Sequence, residues 1–427
     1  MAEISAQWQP AAYALAPSFV TYFPTTHSWM SSYLPVYAAL RAIFQSVHLQ
    51  SLLNPLMAAV SVLALYGTAR RVWPENKRNA LVAAALLGTS SQVLLMAMTS
   101  YAMPAHLALN IIWLWLYLSP DWRRFYLAPI IGAFAIGLHQ PIVHALFVTP
   151  FLFRLLRQRR WPAVFVYGIT YLAGCAFWYA WKTHYTVPPD PSTPAAAGIG
   201  HVFRLFNSEM AFVQPMNLLL VIGWASLATP LLALLGFRRF FRLPPVLQDA
   251  ALSCLLTFGF YYFFYLDQAH GWGYRYFHGT LGCVVLVAVA GWNLLQERIG
   301  PQRAKIFLAA GLAASLVIQL PLRCLQVESF VGPYARTASA LHTIPVQLVA
   351  VDARHAWYSA DLIRNDPFLE ERPLIVSVMM LTRPAVPVLQ EAGEARFINQ
   401  EMLTDFGMYT KRHSDMRRDP FKLGKGN

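Results

Sequence analysis

The residues best suited to chemistry crowd into one short stretch, Asp267-Gln-Ala-His270-Gly-Trp-Gly273-Tyr274-Arg275-Tyr276-Phe-His278. Arginine offers a planar fork of donors matched to phosphate oxygens. The glycines let backbone approach a ligand closely. The aromatic rings can stack on a sugar ring or a lipid headgroup. The plain alternative is that Arg275 and its tyrosines anchor a helix end at a membrane interface. Three further histidines interrupt apolar sequence: His139 with Gln140 and Pro141, His144 about a turn further on, and His106 after Tyr101 and Pro104. Ionisable groups at membrane depth are functional suspects, although a hydrogen-bonded structural histidine is the commoner case. His27 lies in Phe23-Pro24-Thr-Thr-His27-Ser28-Trp29, ahead of Tyr33-Leu34-Pro35-Val36-Tyr37. That aromatic entry serves as well for interfacial anchoring as for a ligand. No P-loop, GxGxxG, HExxH or GxSxG motif is present.

The elements that must position these groups are membrane helices. The chain is 57% hydrophobic and 12% charged, with a mean hydropathy of +0.42. Apolar stretches near the ~20-residue spanning length occur at 52–70, 79–98, 104–119, 125–139, 142–156, 161–181, 213–236, 247–265, 277–296 and 305–321, three of them short. Residues 125–156 are read as two spans because His139-Gln140-Pro141 is a polar break. The loops alternate in charge: Arg70, Arg71, Lys77 and Arg78 fill one, then Arg123 and Arg124, then Arg154, Arg157, Arg159 and Arg160, then Arg238, Arg239 and Arg242, then Arg298, Arg303 and Lys305. The intervening loops carry only Lys182, Arg204 and Arg275. Basic loops stay cytoplasmic, so both ends of the chain, and the 267–278 cluster, face outward. The net charge of +13 is thereby accounted for by the membrane topology and not by nucleic-acid binding. No acid lies in the apolar core of a span, which argues against an ion-coupled transporter. Acids on the outer side are few: Glu3, Asp190, Glu209 and Asp267, besides those near the C-terminus.

The fold class expected is an all-α polytopic membrane protein of about ten transmembrane helices with a small C-terminal α/β extracytoplasmic domain. The boundaries are an extracytoplasmic segment at 1–51, a helical membrane domain at 52–322, the soluble domain at 323–410 and a disordered basic tail at 411–427. Residues 33–48 read as an amphipathic helix lying on the outer surface. Val346–Val351 and Leu374–Met379 read as buried strands, with a helix at 357–364 between them. Residues 1–51 hold no signal peptide. The outward topology therefore leads us to expect a first transmembrane helix upstream of Met1. Cys175, Cys254, Cys283 and Cys324 form no CxxC, so neither a disulfide framework nor a zinc site is expected.

In its motifs the chain resembles the GT-C superfamily glycosyltransferases, specifically the bacterial family 39-like group that includes the aminoarabinose transferases of lipid A. The resemblance rests on Tyr33-Leu-Pro-Val-Tyr37, Tyr66-Gly-Thr-Ala-Arg-Arg71, Gly137-Leu-His-Gln-Pro141 and Gly273-Tyr-Arg-Tyr276 ahead of a long apolar span, in that order. It implies a GT-C-like bundle in the bacterial inner membrane that moves a sugar from a polyprenyl-phosphate donor to a lipid or glycan acceptor outside the cytoplasm. It further implies that Arg275 contacts the donor phosphate beside Tyr274 and Tyr276; the residues themselves, apart from the resemblance, offer His270, His278, His139, His106 and His27 as substrate-site candidates. No cofactor is required by the resemblance beyond an optional divalent metal. A carboxylate after the first helix is expected to orient the acceptor hydroxyl or a metal. Here the pattern is broken, because only Glu3 lies in that region and Thr99–Pro104 holds no acid. Glu3 and Asp267 are the weak candidates that remain. Two alternatives stay open: a catalytically inactive relative acting as a membrane assembly or binding protein, and a polysaccharide polymerase, ligase or flippase.

Overall fold

The structure, a computed structural model, describes residues 2–24, 26–185, 208–263, 271–352 and 358–408. Asp267, His270 and the basic tail therefore lie outside the described residues. The chain divides into two compact units, one comprising Met1–Tyr33, His184–Val187 and Leu325–Asn427, the other Leu34–Thr183 and Pro188–Cys324.

The first unit opens with β1 (Ala2–Glu3), α1 (Ala12–Leu15), β2 (Val20–Phe23) and β3 (Ser28–Ser31). These strands form an antiparallel sheet in the order β1-β3-β2, with Glu3 opposite Ser28 and Tyr22 opposite Trp29.

The second unit is helical. Its elements are α2 (Val36–Gln45), α3 (Leu53–Val72), α4 (Lys77–Gly88), α5 (Ser91–Ala97), α6 (Met103–Tyr117), α7 (Trp122–Ile136), α8 (Pro141–Arg157), α9 (Trp161–Tyr185), α10 (Ser208–Trp224), α11 (Thr229–Arg238), α12 (Pro245–Phe263), α13 (Leu281–Ile299) and α14 (Pro301–Ala314). A 3-10 segment, Arg275–Thr280, leads into α13. A π-helical turn, Ser315–Gln319, joins α14 to α15 (Leu320–His342).

Among the described residues five helices are long and apolar enough to cross a membrane, and seven spans result if each sharply bent pair counts as one. A count of ten requires α6, α7 and α8, of 15, 15 and 17 residues, to cross as well. Helix α9 turns Phe165, Ile169, Leu172 and Tyr179 outward, each more than half exposed, as a lipid-facing surface does. The chain is a polytopic helical membrane protein.

Three details depart from the sequence reading. Residues 79–98 are broken by 58° between α4 and α5, where Thr89 and Ser90 interrupt the helix. Residues 213–236 are bent by 117° between α10 and α11, and Pro230 takes the first turn of α11, a position where its missing N–H costs no helical hydrogen bond. The last apolar span does not stop at 321 but runs on as helix to His342.

Helix α13 is almost wholly buried and packs most extensively on α11. Glycines make this possible. A Cβ on Gly291 would lie 1.8 Å from the Leu232 carbonyl oxygen, and one on Gly236 would lie 2.2 Å from that of Val287. Backbone therefore meets backbone, as small residues allow in membrane bundles. Helices α8 and α12 are joined by the Arg154–Asp249 ion pair, in which Nη2 also donates to the Pro245 carbonyl at 2.8 Å, and by the Ser253 hydroxyl donating to the Phe147 carbonyl at 2.6 Å.

The first unit is completed by β4 (Leu348–Val351), β5 (Leu374–Ser377), α16 (Ala385–Glu391), β6 (Ala395–Ile398) and α17 (Gln400–Asp405). The strands form a parallel sheet in the order β5-β4-β6. Every residue of β4 and β5 is buried, which is why both read as unbroken apolar runs. Of 357–364, the described residues form only the short 3-10 turn Ser359–Leu362. The sequence places residues 1–51 and 323–410 in separate regions. In the structure Trp8, Leu15, Tyr22 and Trp29 share a core with Leu348, Leu374 and Leu389. Asn365 fixes the seam by donating to the Leu15 and Ile375 carbonyls at 2.9 and 2.8 Å.

Candidate functional site

The site is built around the 3-10 segment that precedes α13. Gly273 enters it with φ +76°, a conformation glycine tolerates best, and a Cβ there would lie 2.4 Å from Gln92 Oε1. That closeness lets Gln92 bracket the next residue: its amide donates to the Tyr274 carbonyl at 3.0 Å and accepts the Tyr274 N–H at 3.4 Å. Tyr276 stacks on Tyr261 of α12 at 5.1 Å and 24°.

Arg275, only 7% exposed, is thereby held inside the bundle. Its guanidinium lies 4.9 Å from the centre of the Tyr276 ring and 5.4 Å from that of Tyr101, and Nη2 donates to the Tyr276 hydroxyl at 3.0 Å. Gly271 packs along its stem, since a Cβ there would fall 3.1 Å from Arg275 Cδ. Tyr101 is placed in turn by Asn54 of α3, whose amide donates to the Thr99 and Tyr101 carbonyls at 2.7 Å each.

Histidines gather beside it. His278 is fully buried, with Nδ1 3.5 Å from the Gln92 amide nitrogen, while its Nε2 meets no hydrogen-bond partner among the described residues. Neither ring nitrogen of His106 has a hydrogen-bond partner among the described residues, although the residue is 1% exposed. Its ring lies 6.3 Å from that of the half-buried His139, which has Arg275 as an electrostatic neighbour. Gly279 brings the segment against α6, where a Cβ on this glycine would fall 3.7 Å from the Cβ of His106. A buried unsatisfied donor or acceptor costs about 1–3 kcal/mol, which sets His106 and His278 apart from a histidine with both nitrogens bonded.

His144 contrasts with them. Its Nδ1 donates to Asn110 Oδ1 at 2.7 Å, its Nε2 accepts from the Tyr171 hydroxyl at 2.9 Å, and Asn110 donates to the Gly279 carbonyl at 2.9 Å. Both nitrogens are used, and the residue is a strut.

The structure thus brings His106, His139, Tyr274, Arg275, Tyr276 and His278 together. Glu3 and His27 belong to the other unit. Glu3 is exposed on β1. His27, also exposed, holds φ +48° in the β2–β3 turn, where its carbonyl accepts from Ile4 N–H at 2.8 Å and its Nδ1 lies 3.4 Å from the Tyr22 hydroxyl. Burial, with Tyr13 beside it, raises the pKa of that hydroxyl. Sequence reasoning missed Gln92, Asn54 and Asn110. Each is a polar residue buried in an apolar helix, the signal that flagged the histidines. No group of three or more His, Cys, Asp or Glu among the described residues is placed to hold a metal ion.

No protein-family model matches the chain, and no curated protein is similar to it in sequence. Two solved structures share its fold. Against ArnT from Cupriavidus metallidurans in the apo state the TM-score is 0.54 at 14% identity, covering 88% of this chain and 82% of that one. Against the same protein bound to undecaprenyl phosphate it is 0.56 at 14% identity, covering 91% and 84%.

Proposed function

We propose that the chain is a GT-C glycosyltransferase that moves a sugar from a polyprenyl-phosphate donor to a lipid or glycan acceptor outside the cytoplasm, with Arg275 on the donor phosphate. One observation carries the reading: a buried guanidinium, held against two tyrosine rings, stands in the same 3-10 segment as His278, whose buried Nε2 has no partner among the described residues. A group with several acceptor oxygens and a negative charge suits the guanidinium and can also accept from the one N–H that a neutral imidazole carries. The ArnT fold, one of whose solved forms binds undecaprenyl phosphate, supports the same reading.

In the transfer, the acceptor hydroxyl oxygen bonds to the anomeric carbon, the bond from that carbon to the phosphate oxygen breaks, the polyprenyl phosphate leaves with the electron pair, and the hydroxyl proton passes to that departing phosphate. Arg275 faces the oxygen on which charge grows. In a dry, prearranged site such a contact is worth more than in water. The tyrosine rings hold the guanidinium plane and exclude water. The site lies at the outer end of a ten-span bundle in a bacterial inner membrane, with the basic loops inside.

The test is binding of undecaprenyl phosphate by native mass spectrometry, paired with transfer from a lipid-linked sugar. Arg275→Ala is expected to weaken binding about 10–100-fold, the value of one charge-assisted hydrogen bond, and to abolish transfer in folded protein. Unchanged binding overturns the assignment. Binding that depends on Arg275, with no transfer by the wild type to any acceptor tried, identifies a binding protein in place of an enzyme.

A further inference from the structure

A polar cavity of about 560 Å³ lies by the turn between α3 and α4. Trp292, on the last turns of α13, lines it. Trp292 is 17 residues beyond Arg275, about 25 Å along a helix, so the cavity is separate from the donor site.

Its lining is cationic. Lys77 and Arg78 stand in the first turn of α4 and Lys305 near the start of α14, against one acid, Glu75. Neither helix has an acid in its first turn. A helix N-terminus already carries partial positive charge, so cations there are unfavourable unless an anion joins them. The cavity thus gathers three cations around a helix start that itself repels them.

Asn79 supplies an independent pointer. It is 1% exposed and lines the cavity; its Oδ1 is a sealed acceptor with nothing to offer a phosphate, so only its amide nitrogen bears on the ligand. Among the described residues no hydrogen bond engages its Nδ2, which leaves that donor for a ligand.

We infer that this cavity binds a phosphate group, held by Lys77, Arg78 and Lys305 with Asn79 donating from the floor. Phosphate chemistry fits because three cations from two helices surround one polar floor, as anionic headgroups are held between membrane helices. The group comes either from an anionic phosphodiester lipid or from free phosphate.

The purified full chain is titrated, in native mass spectrometry, with phosphatidylglycerol, with phosphatidylcholine and with inorganic phosphate. Wild type is expected to bind phosphatidylglycerol over phosphatidylcholine. The variant carrying Lys77→Gln, Arg78→Gln and Lys305→Gln is expected to lose that binding at least tenfold. Binding of inorganic phosphate with the same loss, and no lipid preference, names the free anion as the source. Equal binding of both anions by wild type and variant overturns the inference. Lys305→Gln and Asn79→Leu are run singly, each expected to lose several-fold, so that a poorly folding triple variant still leaves a decision. Size-exclusion profile and thermal unfolding report the fold of each.

Discussion

Gly291→Ala is the smallest change that attacks the centre of the bundle. The added Cβ would lie 1.8 Å from the Leu232 carbonyl oxygen, 2.8 Å from Leu232 C and 2.9 Å from Gly236 N. All three are backbone atoms, so no side chain can swing aside. Carbon and carbonyl oxygen approach to about 3.3 Å, so α11 and α13 must separate by roughly 1.5 Å at this point. A gap of ~0.5–1 Å already forfeits a quarter to a half of each dispersion contact. Overpacking costs about 1–3 kcal/mol and occasionally more. An obstacle of backbone puts Gly291→Ala at the upper end, near 3 kcal/mol after the ~1 kcal/mol gained in helix propensity. At about 2 °C per kcal/mol for a large chain, thermal unfolding in detergent is expected to fall by roughly 6 °C. Gly168→Ala is the control, because a Cβ there meets nothing within 4 Å, and its melting temperature is expected to stay level or rise slightly. Equal melting of the two variants would refute the backbone-contact account of this crossing.

Two more outcomes follow from the same geometry. Asp249→Ala leaves the half-sheltered Arg154 unpaired and is expected to cost about 3 kcal/mol in thermal unfolding, whereas Arg154→Met combined with Asp249→Leu recovers most of it. A double variant no better than Asp249→Ala counts against this. His144→Phe strands Asn110 Oδ1 and the Tyr171 hydroxyl and is expected to lower stability by about 1–3 kcal/mol, while His106→Phe removes nitrogens that bond to nothing and spares stability but weakens undecaprenyl phosphate binding roughly tenfold. The reverse pattern would exchange the roles of the two histidines.

Much of the membrane unit is legible in the sequence because its signals are local. His139-Gln140-Pro141 does separate α7 from α8, and residues 33–48 do contain a helix, α2, with no buried residue. Arg275 stands out as an arginine where the topology disfavours one, and it is buried in the structure. What escapes is long-range. Asn365 bonds to Leu15 across 350 positions, and no pattern in either segment announces the other. The bend between α10 and α11 is similar in kind. Pro230 marks the place, but the partners that satisfy the bend come from a distant helix: Gln319 donates to the Gly223 and Ala225 carbonyls at 2.9 Å each, Arg323 donates to Gly223 at 2.8 Å, and the Ser315 hydroxyl accepts the Leu227 N–H at 2.8 Å. Gln92 escapes because a single amide in apolar sequence reveals neither its direction nor its target.

The π-helical turn Ser315–Gln319 sets the rotational phase between the helices on either side of it. Each residue of an α-helix advances the chain by about 100°. A π-turn, closed by an i→i+5 bond, holds one residue more than the α-helical turns on either side of it. Here the wide turn aims Ser315 and Gln319 at the bend in the neighbouring chain segment while Leu322 and Leu325, 61% and 67% exposed, stay outward. Deleting one residue between 315 and 319 would close the turn and rotate all of α15 by about 100°, driving those leucines off the apolar surface. Conservative substitutions here should be tolerated far better than a deletion, and a one-residue gap between 315 and 319 is where an alignment with relatives lacking the turn should fall.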